Sequence, residues 1–121
     1  MFKLSDSYQF WFPITVKIPH PEKTGEFETQ SFEALFEAMR LDDAHALDKE
    51  MSGLSSSERS DKEHEFLRRV VKDWKGVSDP AGKQLSFTSE RFDAALQFAW
   101  VRMALYRAYS AAMSGEAERG N

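Results

Sequence analysis

Apolar and polar side chains alternate along the chain between residues 8 and 18. Every second position is apolar, which would place five side chains on one face: Phe10, Phe12, Ile14, Val16 and Ile18. A period of two is typical of a β-strand with one buried face. Because Pro13 lacks an amide hydrogen for the ladder, we expect this strand to lie at a sheet edge or to carry a bulge.

The pattern over residues 26–38 fits two structures. Alternation predicts a strand, with a bulge near Gln30 and Ser31, where the apolar positions change parity. Four apolar residues also recur at the helical spacing i, i+3, i+4, i+7: Phe32, Leu35, Phe36 and Met39. We choose the strand, because the first strand needs an antiparallel partner to be stable. Residues 1–39 are therefore predicted to form a β-hairpin.

Helical periodicity begins after the hairpin. Asp42 is predicted to cap a short helix over 43–51. Ser60 and Glu63 have the spacing of a capping box, which predicts that a second helix starts there and runs to Trp74. The apolar residues of that helix fall on one face: Phe66, Leu67, Val70, Val71 and Trp74.

A helix end, a tight turn and a short extended segment are predicted over residues 74–87. Gly76 would take the left-handed conformation that ends a helix. Asp-Pro-Ala-Gly at 79–82 has the residue preferences of a type I turn. Leu85 and Phe87 then alternate with polar neighbours, so both side chains would point to the same side.

The last predicted helical region, 88–114, begins at Thr88, a favourable cap. In one straight helix Arg102 would lie opposite Asp93 and Gln97. A break near residues 98–100 avoids this, so we predict two helices or one kinked helix. Residues 115–121 are predicted to be a frayed tail.

These elements together predict an α+β fold in a single domain, 1–121. An N-terminal antiparallel β-hairpin (1–39) is followed by a small bundle of about four helices (40–114). A chain of 121 residues can bury a sizeable core. Its ten Phe, three Trp and three Tyr argue against disorder.

Composition narrows the classes of partner. The net charge is −4 and no dense basic cluster occurs, so we expect no nucleic acid partner. No uninterrupted apolar run approaches the length of a membrane span, and residues 2–12 are too polar for a signal peptide. We therefore expect a cytoplasmic protein with no membrane partner. Cysteine is absent from the sequence, which excludes disulfides, thiolate catalysis and Cys-based zinc sites.

The sequence offers little catalytic chemistry. The three histidines, His20, His45 and His64, lie far apart and lack metal-ligand spacing. The glycines at 76 and 82 are not followed by the Lys-Ser/Thr of a phosphate loop, and no Gly-x-Ser-x-Gly elbow occurs. With twenty carboxylates, acidic pairs are inevitable and do not define a catalytic dyad. We expect no enzymatic activity, no cofactor and no metal.

The chain holds more large aromatic and Met side chains than a small core needs. Taken singly, each is better explained as core. As a set they favour an additional exposed patch for a protein partner. We predict partner contacts at three positions on the first strand and the last helix: Trp11, Tyr106 and Tyr109. Structural roles are predicted for Trp74, Val77, Leu85 and Phe87.

Four segments follow one another along the chain in a recognisable order. They are Met1–Leu4 running into Phe10–Val16, Gly25–Phe27 through Phe32–Phe36, Phe66–Val77 followed by Asp79, Gly82, Leu85 and Phe87, and Trp100–Arg102 leading to Ala108–Tyr109. In these segments the chain resembles the lambda-like tail assembly chaperones of long-tailed bacteriophages and prophages. The third segment is the most specific of the four. Ala99 departs from the family pattern, in which a proline precedes Trp-Val.

The resemblance implies a non-enzymatic assembly role. Such a chaperone coats the long, helical tape measure protein before the tail forms and keeps its apolar segments from aggregating. It also helps to recruit subunits of the major tail tube protein, which displace it, so the mature tail lacks it. Contacts of this kind are weak and repeated, and weak self-association would be compatible with them. Many members are also made in a longer form by ribosomal frameshifting.

The sequence is also compatible with other classes of protein. The main alternative is a structural tail or neck component that is retained in the virion and uses the hairpin as a docking edge. It predicts stable homo-oligomers. A small regulatory or toxin–antitoxin-like module would want a basic groove, and an enzyme ranks last.

Overall fold

Three antiparallel strands and four helices make up residues 1–116, the part of the chain that the computed structural model describes. In chain order they are β1 (Gln9–Pro19), β2 (Phe27–Glu37), α1 (Leu41–Met51), α2 (Ser56–Val70), β3 (Val71–Lys75), α3 (Ser89–Leu96) and α4 (Ala99–Met113). The strands form one sheet in the order β1-β2-β3. The predicted α+β class, with an N-terminal hairpin and about four helices, is confirmed.

The hairpin pairs residue for residue from Gln9 opposite Glu37 to Pro19 opposite Phe27. The strand prediction for residues 26–38 is therefore confirmed, but the bulge expected near 30 and 31 is absent. The change of parity needs no bulge, because Phe27 lies on the outer face of the sheet, where its side chain is exposed. The irregularity of β2 falls between Leu35 and Phe36, in its pairing with β3.

The predicted edge position of β1 is also confirmed. At the two ends of the hairpin, Ala38 N–H donates to Tyr8 O and His20 N–H donates to Glu26 O, at 2.9 and 2.8 Å. In this antiparallel register the even-numbered residues of β1 bond to β2, and the odd-numbered peptide groups face the open edge. Pro13, which has no N–H to donate, is one of these odd-numbered residues.

Both early helices begin before the positions predicted for them. α1 starts at Leu41 with Arg40 as an N-cap that makes no side-chain hydrogen bond, so Asp42 lies inside the first turn. The capping box of α2 is formed by Ser55 and Glu58, not by Ser60 and Glu63. The Ser55 hydroxyl accepts from Glu58 N–H, and the Glu58 carboxylate accepts from Ser55 N–H at 3.2 Å.

α2 ends earlier in the chain than predicted. The helix stops at Val70, and residues 71–75 form the third strand, so the segment predicted as helical contains a strand. β3 pairs with the free edge of β2, Glu33 opposite Lys75 and Leu35 opposite Asp73. Without β3, the backbone N–H and C=O groups along that edge of β2 would have no partners. The helical periodicity of the sequence gives no sign of this requirement.

Trp74 is buried as predicted, but within a strand rather than at a helix end. Its indole N–H donates to Leu85 O at 2.8 Å. Gly76 takes the predicted left-handed conformation (φ +79°), which here ends β3. The turn at 79–82 closes through Gly82 N–H to Asp79 O at 3.0 Å. These bonds tie the extended segment at 85–87 to the sheet.

The predicted break in the C-terminal region is confirmed. α3, capped by the Thr88 hydroxyl accepting from Arg91 N–H, ends at Leu96, and α4 starts at Ala99. Arg102 donates to Leu96 O across the break at 2.6 Å.

α4 ends in a Schellman motif. Glu116 N–H donates to Ala111 O at 2.8 Å and Gly115 N–H donates to Ala112 O at 3.2 Å, with Gly115 at φ +78°. The first two residues of the predicted frayed tail are thus hydrogen-bonded. Its remainder, residues 117–121, lies outside the described residues.

The core lies between the inner face of the sheet and the helices. Its fully buried large side chains come from both layers: Ile14 and Phe36 from the sheet, and Leu67, Val70, Leu96 and Leu105 from the helices. The inner face of β1 is the one predicted from the alternation, and α4 packs along it. This packing fixes where the side chains of α4 that do not enter the core are presented.

A candidate partner-binding groove

An apolar groove of about 790 Å³ opens between α1, α2 and the C-terminal half of α4. Nine residues line it: Leu47, Met51, Glu63, Phe66, Tyr106, Tyr109, Ser110, Met113 and Ser114. Glu63 is the one charged residue among them. The groove is wide and shallow, so its walls can contact a second chain laid along it.

Helical spacing places these side chains on facing stripes. Leu47 and Met51 are four residues apart on α1, and Glu63 and Phe66 are three apart on α2. On α4 the stripe runs over four positions at i, i+3, i+4 and i+7: Tyr106, Tyr109, Ser110 and Met113. Residues at these intervals share one helix face, so each helix offers a continuous wall.

Tyr106 is held in place by two neighbours. Its hydroxyl donates to the backbone oxygen of Glu63 at 2.8 Å, and its ring stacks on Phe66 with centroids 5.6 Å apart. Burial raises the pKa of Tyr106 to about 12; the charge of Glu63 adds to this rise, while Arg102 opposes it. The phenol therefore remains neutral and hydrogen-bonded at physiological pH.

Tyr109 joins the groove to the core. Its hydroxyl accepts from Met39 N–H at 3.0 Å, and its ring meets Phe36 and Phe66 edge-on, each with centroids 5.4 Å apart. Both tyrosine hydroxyls are thus bonded within the protein. What the two residues present to the groove is the ring surface, fixed before any partner arrives.

Trp11 does not belong to this groove. It lies on the outer face of the sheet, 39% exposed, with the Lys75 ammonium 3.9 Å from its ring centroid. The structure therefore brings together two of the three residues predicted to contact a partner, Tyr106 and Tyr109. The third is on the opposite side of the sheet.

Several groove residues were not predicted from the sequence. Phe66 was assigned to the core, yet part of its ring forms the groove floor. Leu47 and Met51 were not singled out, whereas Met113 belonged to the set of aromatic and Met side chains that favoured an exposed patch. Their spacing on α1 and α4 is visible in the sequence, but the position of α1 relative to α4 depends on tertiary packing.

Within residues 1–116, no group of three or more His, Asp or Glu side chains is placed to hold a metal ion. His20 serves the hairpin loop, where its Nδ1 accepts from the amides of Glu22 and Lys23. None of the four helices in the described part of the chain has the length and apolar character of a membrane span.

Comparison with protein-family models, with curated proteins and with solved structures found no match to this chain.

Proposed function

We propose that this protein is a tail assembly chaperone of a long-tailed bacteriophage or prophage. In the host cytoplasm it binds the tape measure protein and helps to recruit subunits of the major tail tube protein. The observation that carries this proposal is the apolar groove between α1, α2 and α4. It supplies a non-enzymatic binding surface of the kind that such a role requires.

The groove has the properties of a site for an apolar helix stripe. Two aromatic rings and two Met side chains form its walls, with Phe66 between them. Flexible thioethers adapt to irregular surfaces, and fixed rings provide contact area at little cost in side-chain entropy. Amphipathic helices bind other proteins by laying their apolar face into such a groove.

A groove of this form also suits weak and repeated contacts. It is open along one side, and each copy of the chain offers one binding wall rather than an enclosed cavity. Many copies could line up along one long helical protein, each covering a short apolar stretch. Incoming tube subunits could then displace them, because no single contact is tight.

The alternative role, a virion component that docks through the hairpin edge, is not favoured by the geometry. The open edge of β1 lacks a donor at Pro13. Two residues further on, the Arg107 guanidinium donates to Thr15 O at 2.6 Å, which occupies an acceptor that an added strand would need. The centre of this edge is therefore already obstructed by α4.

Co-expression with the long helical protein encoded downstream in the source genome tests the proposal. We expect that protein to become soluble and to carry several copies of this chain through purification. If it stays insoluble while this chain purifies alone as a stable oligomer, the chaperone proposal is wrong and the virion-component role takes its place.

A further inference from the structure

The segment that supplies the α1–α2 side of the groove is acidic. Residues 41–65, which comprise α1, its connection to α2 and most of α2, carry eight Asp or Glu and three Lys or Arg. Their net charge is −5, whereas the whole chain carries −4. One wall of the groove is therefore built from the most acidic segment of the protein.

Basic side chains in this segment are largely committed to other partners. The Lys62 ammonium lies 3.2 Å from the Glu50 carboxylate and 3.1 Å from that of Glu65. Arg59 donates to Met51 O at 3.0 Å. Glu63 lines the groove, and its carboxylate makes no hydrogen bond or ion pair with any residue in the described range 1–116.

The α4 wall adds no charged side chain to the groove lining. α4 carries two arginines, and neither is among the residues that line the groove. Arg102 donates to Leu96 O at the break between α3 and α4, and Arg107 donates to Thr15 O at the sheet edge. The α4 stripe that lines the groove consists of tyrosine, serine and methionine.

We propose that the groove selects an amphipathic helix whose apolar stripe is flanked by lysine or arginine. The apolar floor binds the stripe, and Glu63, the one charged residue of the groove lining, attracts the basic flank together with the net negative charge of residues 41–65. Complementary charge steers association and fixes register, while a helix with acidic flanks is repelled. This inference rests on the proposed function and names the kind of tape measure segment that would be bound.

Three labelled peptides of about 18 residues, roughly five helical turns, test the charge preference. They share one Leu/Met stripe and differ in flanking residues: Lys, Gln or Glu. Binding to the full chain is measured by fluorescence anisotropy at low and high salt. We expect the Lys peptide to bind roughly tenfold more tightly than the Glu peptide at low salt, with the ratio falling as salt screens the charges.

Two variants of the chain assign the preference to the groove. Glu63→Lys should abolish or invert the preference between the Lys and Glu peptides. Glu22→Lys makes the same change of charge on an exposed residue of the loop between β1 and β2, and it should leave the preference as in the wild type. Equal binding of the charged peptides, a preference for Glu, no binding of any peptide, or a preference that survives Glu63→Lys would overturn the inference.

The co-expression and peptide-binding experiments distinguish failure of the chaperone role from failure of the charge preference. If the chain solubilises the downstream helical protein but shows no charge preference among the peptides, the chaperone role stands and the selectivity is wrong. If the Lys peptide is preferred but the downstream protein stays insoluble, the groove binds basic helices and the chaperone role is wrong.

Discussion

Two tryptophans of this chain occupy opposite environments, and their substitution should separate structural from surface roles. Trp74 is 7% exposed and donates its indole N–H to Leu85 O, whereas Trp11 lies on the outer sheet face under Lys75. Trp74→Ala should lower the free energy of unfolding by about 3–5 kcal/mol. Trp11→Ala should cost less, because the side chain is 39% exposed; its cation–π contact with Lys75 is worth about 0.5–1 kcal/mol.

Chemical denaturation of both variants, followed by circular dichroism, measures the difference. Equal losses for the two variants would mean that Trp11 is part of the core. In that case its predicted role in partner binding would have no structural basis.

The free energy of unfolding at alkaline pH should depend on the Tyr106 phenol. Its pKa in the folded chain, about 12, is above the ordinary value of about 10 chiefly because the residue is half-buried. The unfolded chain therefore ionises this group first as pH rises. The stabilisation is complete below about pH 10 and is lost between about pH 10 and 12.

Tyr106→Phe should flatten the fall in the free energy of unfolding over that pH range relative to the wild type. It should also remove the hydrogen bond to Glu63 O at all lower pH values. Tyr8→Phe, the same change at a residue 64% exposed, is the control. If both variants follow the wild-type pH profile, burial does not govern the Tyr106 phenol.

At the level of elements, the start of α2 gives a sharp test. Ser55 caps this helix and Ser60 lies within it. Ser55→Ala should lower the free energy of unfolding by roughly 0.5–2 kcal/mol through loss of the cap. Ser60→Ala, on an exposed helix surface, should change it by less than about 0.5 kcal/mol. Thermal or urea unfolding distinguishes this result from the reverse order, which would place the helix start at Ser60.

The same helix shows what local sequence can and cannot determine. Two Ser-x-x-Glu patterns, at Ser55 and Ser60, satisfy the capping rule equally, and the pattern alone does not choose between them. The hairpin was predictable because alternation extends over eleven residues and Pro13 marks an edge. β3 was not, since residues 71–75 become a strand only where the free edge of β2 meets them.

Gly76 ends β3 and starts the return of the chain towards Leu85. A Cβ added at Gly76 would lie no closer than 3.8 Å to Phe32, which is an ordinary van der Waals contact. The cost of a substitution would therefore come from the backbone conformation, φ +79°. Gly76→Ala should still lower the free energy of unfolding by roughly 1–2 kcal/mol, the cost of a left-handed conformation for an L-residue. A neutral result in urea unfolding would show that this turn can relax.

Across the whole molecule, the sheet and α4 pack against each other, and α1 and α2 complete the groove beside α4. Tyr106 and Tyr109 were found from the sequence because both lie on one helix at a spacing that keeps them together. The opposing wall was not found, because the sequence does not show that α1 packs beside the end of α4. The concentration of acidic residues in 41–65 was visible, but its meaning depends on that packing.

In the proposed role, the groove binds the tape measure protein. Two matched double variants test it without changing any charge. Met51→Asn with Met113→Asn places polar amides in the groove. Leu41→Asn with Met103→Asn changes one residue each of the same two helices, α1 and α4, at positions 69% and 67% exposed outside the groove.

The decisive measurement is the fraction of the downstream helical protein that remains soluble when it is co-expressed with the wild type and with each double variant. Circular dichroism of the purified variants first establishes that both retain their fold. The proposal predicts that the wild type and the Leu41/Met103 variant keep that protein soluble and co-purify with it, while the Met51/Met113 variant does neither. If the Met51/Met113 variant performs as well as the wild type, the groove is not the binding site.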